Sequence, residues 1–171
     1  RHVTPAIIAR EIAHLSSARA GGRWDSEGLA VRASEAVGEV VATYVKDESE
    51  LSMTIRLPPS YPLRAVEVSC ARQLGIGEAR WRRWVLQIVT LLSVRDGSVL
   101  DAVLLWKRNV DKEFEGMEPC VICYSTLHPR DMALPTLACR TCSNRFHPSC
   151  LYKWFQTSHK SKCPLCQQTW A

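Results

Sequence analysis

The 171-residue sequence lacks any apolar run near the roughly 20 residues that a transmembrane helix requires. It also lacks a recognisable signal peptide, because its first residues, Arg1-His-Val-Thr-Pro, lead directly into a helix-like segment. Internal repeats and low-complexity tracts are absent as well. These absences predict a cytoplasmic protein without a membrane segment. The initial Arg in place of Met predicts a piece of a longer chain.

Cysteine is nearly absent from the first two thirds of the chain, where it occurs only as Cys70. The other seven cysteines fall between Cys120 and Cys166. They form three Cys-x2-Cys pairs, plus Cys150 with His147 three residues before it. This is the spacing of metal ligands rather than of a disulfide framework, and it is typical of a reducing compartment. Cys70 occupies an apolar position of an alternating strand pattern, after Val66 and Val68, and no His or Asn lies near it in sequence. This pattern predicts a buried structural cysteine.

A strong excess of charge of one sign is missing too. The formal net charge is +5, and residues 117–171 contribute six basic and two acidic side chains to it. Two Zn²⁺ ions held by seven thiolates would bring that segment to about +1. A large nucleic-acid-binding surface is therefore not indicated. Trp81-Arg82-Arg83-Trp84 and Lys107-Arg108 are local basic clusters, which form either a solvated helix face or a contact with RNA phosphates.

Residues 1–116 have the pattern of an α+β domain. Alternating apolar or β-branched stretches predict four strands, near 29–33, 40–45, 51–57 and 66–70. Helical spacing of apolar residues predicts three helices, over 5–18, 78–92 and 99–114. This order predicts an antiparallel four-stranded meander with helices on one face. The helix over 5–18 belongs either to this domain or to an upstream region.

Residues 117–171 carry one series of potential metal ligands, Cys120-x2-Cys123-x15-Cys139-x2-Cys142-x4-His147-x2-Cys150-x12-Cys163-x2-Cys166. Zn²⁺ prefers four tetrahedral ligands of this kind, and a closed site of four leaves no position for a catalytic water. We therefore predict two structural zinc ions, which supply much of the folding energy of so short a segment. The order of four Cys, one His and three Cys fits both RING domains and PHD fingers, and spacing alone does not separate them.

The residues between the ligands favour a RING domain. Ser161 stands where a PHD finger usually has an aromatic residue. Ile122 lies inside the first pair, Trp154 follows the sixth ligand by four residues, and Pro164 follows the seventh. These positions are typical of RING domains that recruit a ubiquitin-conjugating enzyme. The three side chains are expected to converge on a shallow apolar groove, the kind of patch that marks a protein-binding site.

These residues also have simpler interpretations. The alternative for Trp154 is packing in the core of a helix over 151–157, and the alternative for Ile122 is internal packing. His128 and His159 are expected to be solvent-exposed loop residues rather than ligands.

Longer motifs resemble one RING family, the listerins, which are the ubiquitin ligases of ribosome-associated quality control. The resemblance includes an unusual Cys at the fourth ligand, and four stretches carry it: Glu118-Pro-Cys-Val-Ile-Cys-Tyr-Ser, Ala138-Cys-Arg-Thr-Cys, Phe146-His-Pro-Ser-Cys-Leu-Tyr-Lys-Trp-Phe and Ser161-Lys-Cys-Pro-Leu-Cys. The upstream part looks like the RWD domain that precedes this RING, on the evidence of Ile55-Arg-Leu-Pro-Pro-Ser-Tyr-Pro-Leu. This sequence departs from the Tyr-Pro-x-x-x-Pro signature that RWD domains usually have, because Val66 stands at the position of the last Pro.

The resemblance implies an RWD-like domain over residues 1–116 and a small two-zinc cross-brace RING domain over 117–171. In such a cross-brace the first metal is held by Cys120, Cys123, His147 and Cys150. The second metal is held by Cys139, Cys142, Cys163 and Cys166. The implied binding surface for a ubiquitin-conjugating enzyme consists of Val121, Ile122, Trp154, Pro164, Leu165 and Gln167.

The activity implied is that of a RING-type ubiquitin ligase, which acts by positioning and forms no covalent intermediate. Its implied partners are a ubiquitin-conjugating enzyme charged with ubiquitin and a large ribosomal subunit with a stalled nascent chain. The two basic clusters named above are the candidates for a contact with ribosomal RNA, with a solvated helix face as their alternative. Many RING domains have Arg or Lys where Gln167 stands, so this amide would hold ubiquitin without charge assistance. The alternative is a non-catalytic zinc-containing interaction module or scaffold.

Overall fold

The structure is a computed structural model that describes residues 3–22, 28–46, 49–72 and 77–171. It forms two compact units. The first extends to Lys112, and the second comprises Glu113–Ala171.

Within its described residues, the first unit has a four-stranded sheet and three helices. Its helices are α1 (Val3–Ala20), α2 (Glu78–Ser93) and α3 (Val99–Phe114). Its strands are β1 (Leu29–Ser34), β2 (Glu39–Lys46), β3 (Ser49–Arg56) and β4 (Glu67–Arg72). The strand order is β1-β2-β3-β4, with antiparallel pairing of Leu29 with Tyr44 and of Ile55 with Val68. The predicted α+β class with a four-stranded antiparallel meander is confirmed.

Periodicity explains where the core of this unit lies. Every second residue is buried along the middle of β2 and β3, as expected for strands with one covered face: Val40, Ala42, Tyr44, Leu51, Met53 and Ile55. Helix α2 buries Trp84, Ile88 and Leu92, at helical spacing. The Tyr44 hydroxyl donates a hydrogen bond to Asp111 Oδ1 at 3.0 Å, which ties β2 to α3.

The second unit has little regular structure. It contains the short strands β5 (Leu137–Ala138) and β6 (Arg145–Phe146) and one helix, α4 (Pro148–Ser158). Helix α4 begins earlier than the predicted 151, because Pro148 occupies its first turn, where a missing N–H is not needed. Phe146 and Leu151 are buried, and Trp170 packs edge-on against Phe146 and Phe155. This apolar core is small, so interactions other than apolar packing must hold the second unit together.

Candidate metal centres and binding groove

The first centre, called site 1, is formed by a turn, the end of β6 and the first turn of α4. The ligand atoms of Cys120, Cys123, His147 and Cys150 all lie within 4.8 Å of one another. His147 is the N-cap of α4 and Cys150 lies in its first turn, so a spacing of three places both on one side. His147 Nδ1 is 3.3 Å from Cys123 Sγ and 3.8 Å from Cys150 Sγ.

The imidazole of His147 is held in a state suited to metal binding. Its Nε2 lies 3.1 Å from the Thr126 carbonyl oxygen, to which Nε2–H can donate, leaving Nδ1 free to face the sulfurs. Burial lowers the pKa of His147, because the charged imidazolium is poorly solvated there. The side chain is therefore neutral at physiological pH, as a ligand must be.

The second centre, called site 2, contains only cysteines: Cys139, Cys142, Cys163 and Cys166. The Sγ atoms of Cys139 and Cys166 are 3.7 Å apart, and those of Cys142 and Cys163 are 3.8 Å apart. A disulfide would require about 2.0 Å. A tetrahedral ion with bonds of about 2.3 Å to sulfur requires an edge of roughly 3.8 Å. The separations therefore fit Zn²⁺ and exclude disulfide bonding.

The three Cys-x2-Cys pairs share one backbone geometry. After the second cysteine of each pair stands a residue with positive φ: Tyr124 at 59°, Ser143 at 60° and Gln167 at 59°. Its N–H donates to the carbonyl of the first cysteine, at distances of 2.7, 2.9 and 3.1 Å respectively. Positive φ is uncommon for residues other than glycine. The repeated turn brings both sulfurs of each pair to the same side of a metal.

The thiol pKa values show how crowded the sulfurs are. Backbone N–H groups, that of Cys142 above all, lower the pKa of Cys139 to about 6. Burial raises the pKa of Cys150 and of Cys163 to about 12, and at Cys150 the neighbouring thiolates of Cys120 and Cys123 add to the effect. Four sulfurs this close carry negative charge together only around a divalent cation. The donor sets therefore fit two closed, structural zinc ions.

Beside site 1 lies an open cavity of about 500 Å³, called the zinc-side groove. Ile122 and Trp154 both line it, from the first Cys-x2-Cys turn and from α4. The Trp154 indole N–H donates to the Lys162 carbonyl oxygen at 3.0 Å, which satisfies its polar atom. Two apolar side chains from separate segments thus share one surface depression.

Two families match the chain. The family described as ubiquitin conjugating domain-like matches residues 29–113, and the one described as Ring finger domain matches residues 118–167. The E3 ubiquitin-protein ligase listerin of Gallus gallus is 46% identical over 142 residues, which is 83% of this chain. The listerin of Drosophila melanogaster is 43% identical over 141 residues (82%), and that of Saccharomyces cerevisiae is 36% identical over 165 residues (96%).

The chain belongs to the listerin family. It spans only 8–11% of the length of these curated relatives. Each of its two units corresponds to one of the two matched families. No helix in the described part of this listerin-family chain is long and apolar enough to cross a membrane.

Four of the six residues predicted from listerins to bind a conjugating enzyme lie outside the lining of the zinc-side groove: Val121, Pro164, Leu165 and Gln167. Val121 packs against the small core of the zinc-binding unit, while Leu165 is exposed. The Gln167 amide donates to the Pro164 carbonyl oxygen at 2.9 Å. Ile122 and Trp154 thus share the zinc-side groove, and the convergence of Pro164 with them stays a prediction.

Sequence reasoning missed most of the polar residues of this groove. Ser149, Lys153 and Thr157 line it from α4 at intervals of four residues, and helical periodicity would have grouped them with Trp154. Arg130 and Asp131 line it from the preceding loop, for which the sequence carries no periodic signal.

The other two histidines of the zinc-binding unit, His128 and His159, differ. His159 is exposed at the end of α4, as predicted. The prediction for His128 is wrong, because its side chain is only 15% exposed. Its Nδ1 lies 2.9 Å from Asp131 Oδ1, and its ring packs edge-on against His147 with centroids 5.3 Å apart. His128 is therefore a packing neighbour of site 1, although it is not one of its ligands.

Cys70 is the one cysteine of the ubiquitin conjugating-like unit. It lies on β4, where its side chain is half-buried, so it is less enclosed than the predicted buried structural cysteine.

Proposed function

We propose that this chain is a RING-type ubiquitin ligase module that recruits a ubiquitin-conjugating enzyme and promotes ubiquitin transfer. The observation that carries the proposal is the zinc-side groove, in which Ile122 and Trp154 meet beside a closed zinc site. The relatives that match the chain bear the name E3 ubiquitin-protein ligase. The chain contributes no nucleophile in this proposal, and it accelerates transfer by restricting the orientation of the charged carrier.

The proposed docking surface extends from the groove across the third Cys-x2-Cys turn. Ile122 and Trp154 are its anchors, and exposed Leu165 with Pro164 continues it. Val121, from the first Cys-x2-Cys turn, packs against the small core of the zinc-binding unit and is proposed to complete the surface there. Gln167 is proposed to contact both the carrier and its ubiquitin through amide hydrogen bonds, which lack the added strength of a charged donor.

Ubiquitin-chain formation by the zinc-loaded chain, with activating enzyme and a panel of conjugating enzymes, tests this function. Trp154→Ala is expected to lower the rate about thirtyfold, because truncating an interface tryptophan of this kind costs about 2 kcal/mol or more. Tyr152→Ala is the matched control, since Tyr152 is an exposed aromatic residue on the same helix and lies outside the groove. Zinc content is measured for both variants.

Activity that survives Trp154→Ala, in a variant that retains two zinc ions, would show that the groove does not recruit the carrier. A folded, zinc-loaded chain that is inactive with every conjugating enzyme would instead support the non-catalytic interaction module.

For the substrate, we propose stalled nascent chains on large ribosomal subunits in the cytoplasm. The proposed RNA contacts are made by the basic side chains of the two clusters Trp81-Arg82-Arg83-Trp84 and Lys107-Arg108, in which Trp84 itself is buried. The family assignment and the exposure of Arg82, Arg83 and Arg108 support this proposal. Sedimentation with purified large subunits tests it across a salt series. Phosphate contacts predict that binding weakens steeply as salt rises. Salt-independent binding would contradict an RNA contact.

A further inference from the structure

Helices α2 and α3 enclose a second surface depression, of about 660 Å³, called the helix groove. Its lining comes from those helices and from the segment between them: Arg83, Leu86, Gln87, Thr90, Leu91, Arg95, Asp101, Leu104, Leu105 and Arg108. A hydrogen bond from Asn109 Nδ2 to Gln87 Oε1, 3.2 Å long, joins the two helices beside it. The groove lies wholly within the first unit, so it is separate from the zinc centres.

The apolar part of the helix groove consists of four leucines. Leu86 is 65% exposed, and Leu91, Leu104 and Leu105 are half-buried. None of them belongs to the buried set of α2 and α3, which contains Trp84, Ile88 and Trp106. Leucines grouped in one depression without cover mark a surface that another apolar group can occupy.

The charged part of the helix groove is basic. Arg83, Arg95 and Arg108 line it, and within the described residues no carboxylate lies at ion-pair distance from any of them. The one acidic residue of the lining, Asp101, is engaged elsewhere, because its Oδ2 accepts from the Ser98 N–H at 2.9 Å and from the Ser98 hydroxyl at 2.8 Å. The groove therefore presents available positive charge beside apolar surface.

We propose that the helix groove binds an acidic amphipathic segment of a partner protein. Leucine-like side chains of the partner segment would cover the four leucines of the groove. Carboxylates of the segment would pair with the groove's arginines, because a guanidinium group forms bidentate hydrogen bonds with a carboxylate. A nucleic-acid backbone would satisfy the arginines and leave the leucines in water, so the apolar part favours protein. This inference is independent of the proposed ligase activity, and its failure would leave that activity unaffected. It competes with the proposed RNA contact for Arg83 and Arg108, and the titrations below decide between the two.

Peptide titration of the isotope-labelled, zinc-loaded chain, followed by NMR, tests the proposal. The probe is a synthetic helical peptide of about four turns, with Leu on one face and Glu on the other. One matched peptide has Lys in place of Glu, and another has Ser in place of Leu. The acidic peptide is expected to shift amide signals of the lining residues, and both matched peptides are expected to bind at least about tenfold more weakly.

Point variants locate the contact. Arg83→Glu and Leu86→Ser are each expected to weaken binding of the acidic peptide about tenfold. Arg82→Glu controls for charge, because Arg82 lies on the same helix outside the lining and pairs with Glu78. Leu63→Ser controls for lost apolar surface, because Leu63 is 93% exposed and also lies outside the groove. All four positions are exposed, and the NMR spectrum of each variant verifies its fold.

Three results would overturn the proposal: no binding by the acidic peptide, equal binding by the lysine peptide, or shifts outside the helix groove. A single-stranded RNA oligonucleotide is titrated in parallel. Binding of RNA that is lost in Arg83→Glu but retained in Leu86→Ser, without binding of the acidic peptide, would assign the groove to nucleic acid instead.

Discussion

At the scale of single residues, His147 connects site 1 to the backbone of the loop before it. One ring nitrogen faces the sulfurs, and the other lies at hydrogen-bond distance from the Thr126 carbonyl. Because the ring is buried and fixed from both sides, a replacement without a correctly placed nitrogen cannot serve the same purpose.

His147→Gln is therefore expected to lose about one of two zinc equivalents, together with part of the fold around α4. Metal analysis of the purified chain measures the loss. His159→Asn is the control, since His159 is exposed and its left-handed backbone conformation is one that Asn tolerates. Two bound equivalents in His147→Gln would mean that another residue completes site 1.

Tyr44 gives a prediction about alkaline pH. Burial, and then the hydrogen bond and negative charge of Asp111, raise the pKa of Tyr44 to about 12. An unfolded tyrosine ionises near pH 10, so the unfolded state loses the proton first. The stability that Tyr44 contributes is complete below about pH 10 and is lost as pH rises towards 12.

Urea unfolding at about pH 9 and about pH 11 checks this by comparing the native chain with Tyr44→Phe, which cannot ionise. The native chain is expected to lose more stability than the variant between the two pH values. If the difference in free energy of unfolding between the native chain and Tyr44→Phe is the same at both pH values, the raised pKa is contradicted.

The identity of the potential ligands could be predicted from spacing, because Cys-x2-Cys pairs have few other uses in a reducing compartment. The backbone turns that position these ligands could not be predicted from the sequence. Tyr124, Ser143 and Gln167 adopt positive φ although none is Gly, Asn or Asp. The hydrogen bond between Gln167 and the Pro164 carbonyl depends on that turn, so it could not be predicted from the sequence either.

At the scale of elements, helices and strands of the first unit follow their periodicity closely. Predicted helices over 78–92 and 99–114 correspond to Glu78–Ser93 and Val99–Phe114. The sequence did not separate leucines that face the core from those that do not, because α2 has apolar residues on more than one face. Leu86 and Leu91 lie in the helix groove, whereas Ile88 and Leu92 are buried.

Two substitutions on α2 test that assignment of faces. Ile88→Ala removes a fully buried side chain and is expected to destabilise the first unit by about 2–5 kcal/mol. Leu86→Ala, two residues away on an exposed face, is expected to change stability by no more than about 0.5 kcal/mol. Denaturant midpoints give both values, and similar losses for the two variants would show that Leu86 is part of the core.

At the scale of the whole molecule, the two units are stabilised differently. The first has a sheet and helices around an extended apolar core. The second has two-residue strands, one helix and a few buried apolar residues, so we expect its zinc ions to supply most of its stability, on the order of 10 kcal/mol.

A strong chelator is accordingly expected to unfold the second unit and leave the first folded. NMR would show loss of the dispersed signals from α4, while those of β2 and β3 keep their positions. Re-addition of zinc under reducing conditions should restore the spectrum. Loss of the sheet signals together with those of α4 would show that the first unit depends on the metals as well.

The crossed order of the ligands has a consequence for how the chain acquires its metals. His147 joins Cys123 across 24 residues, and that span contains Cys139 and Cys142. Cys163 joins Cys142 across 21 residues, and that span contains His147 and Cys150. When zinc closes one of these loops, fewer unconstrained residues remain between the ligands of the other site. The entropic cost of closing the second loop is therefore lower. Zinc uptake should therefore be cooperative, with chains that hold a single ion remaining scarce throughout a titration.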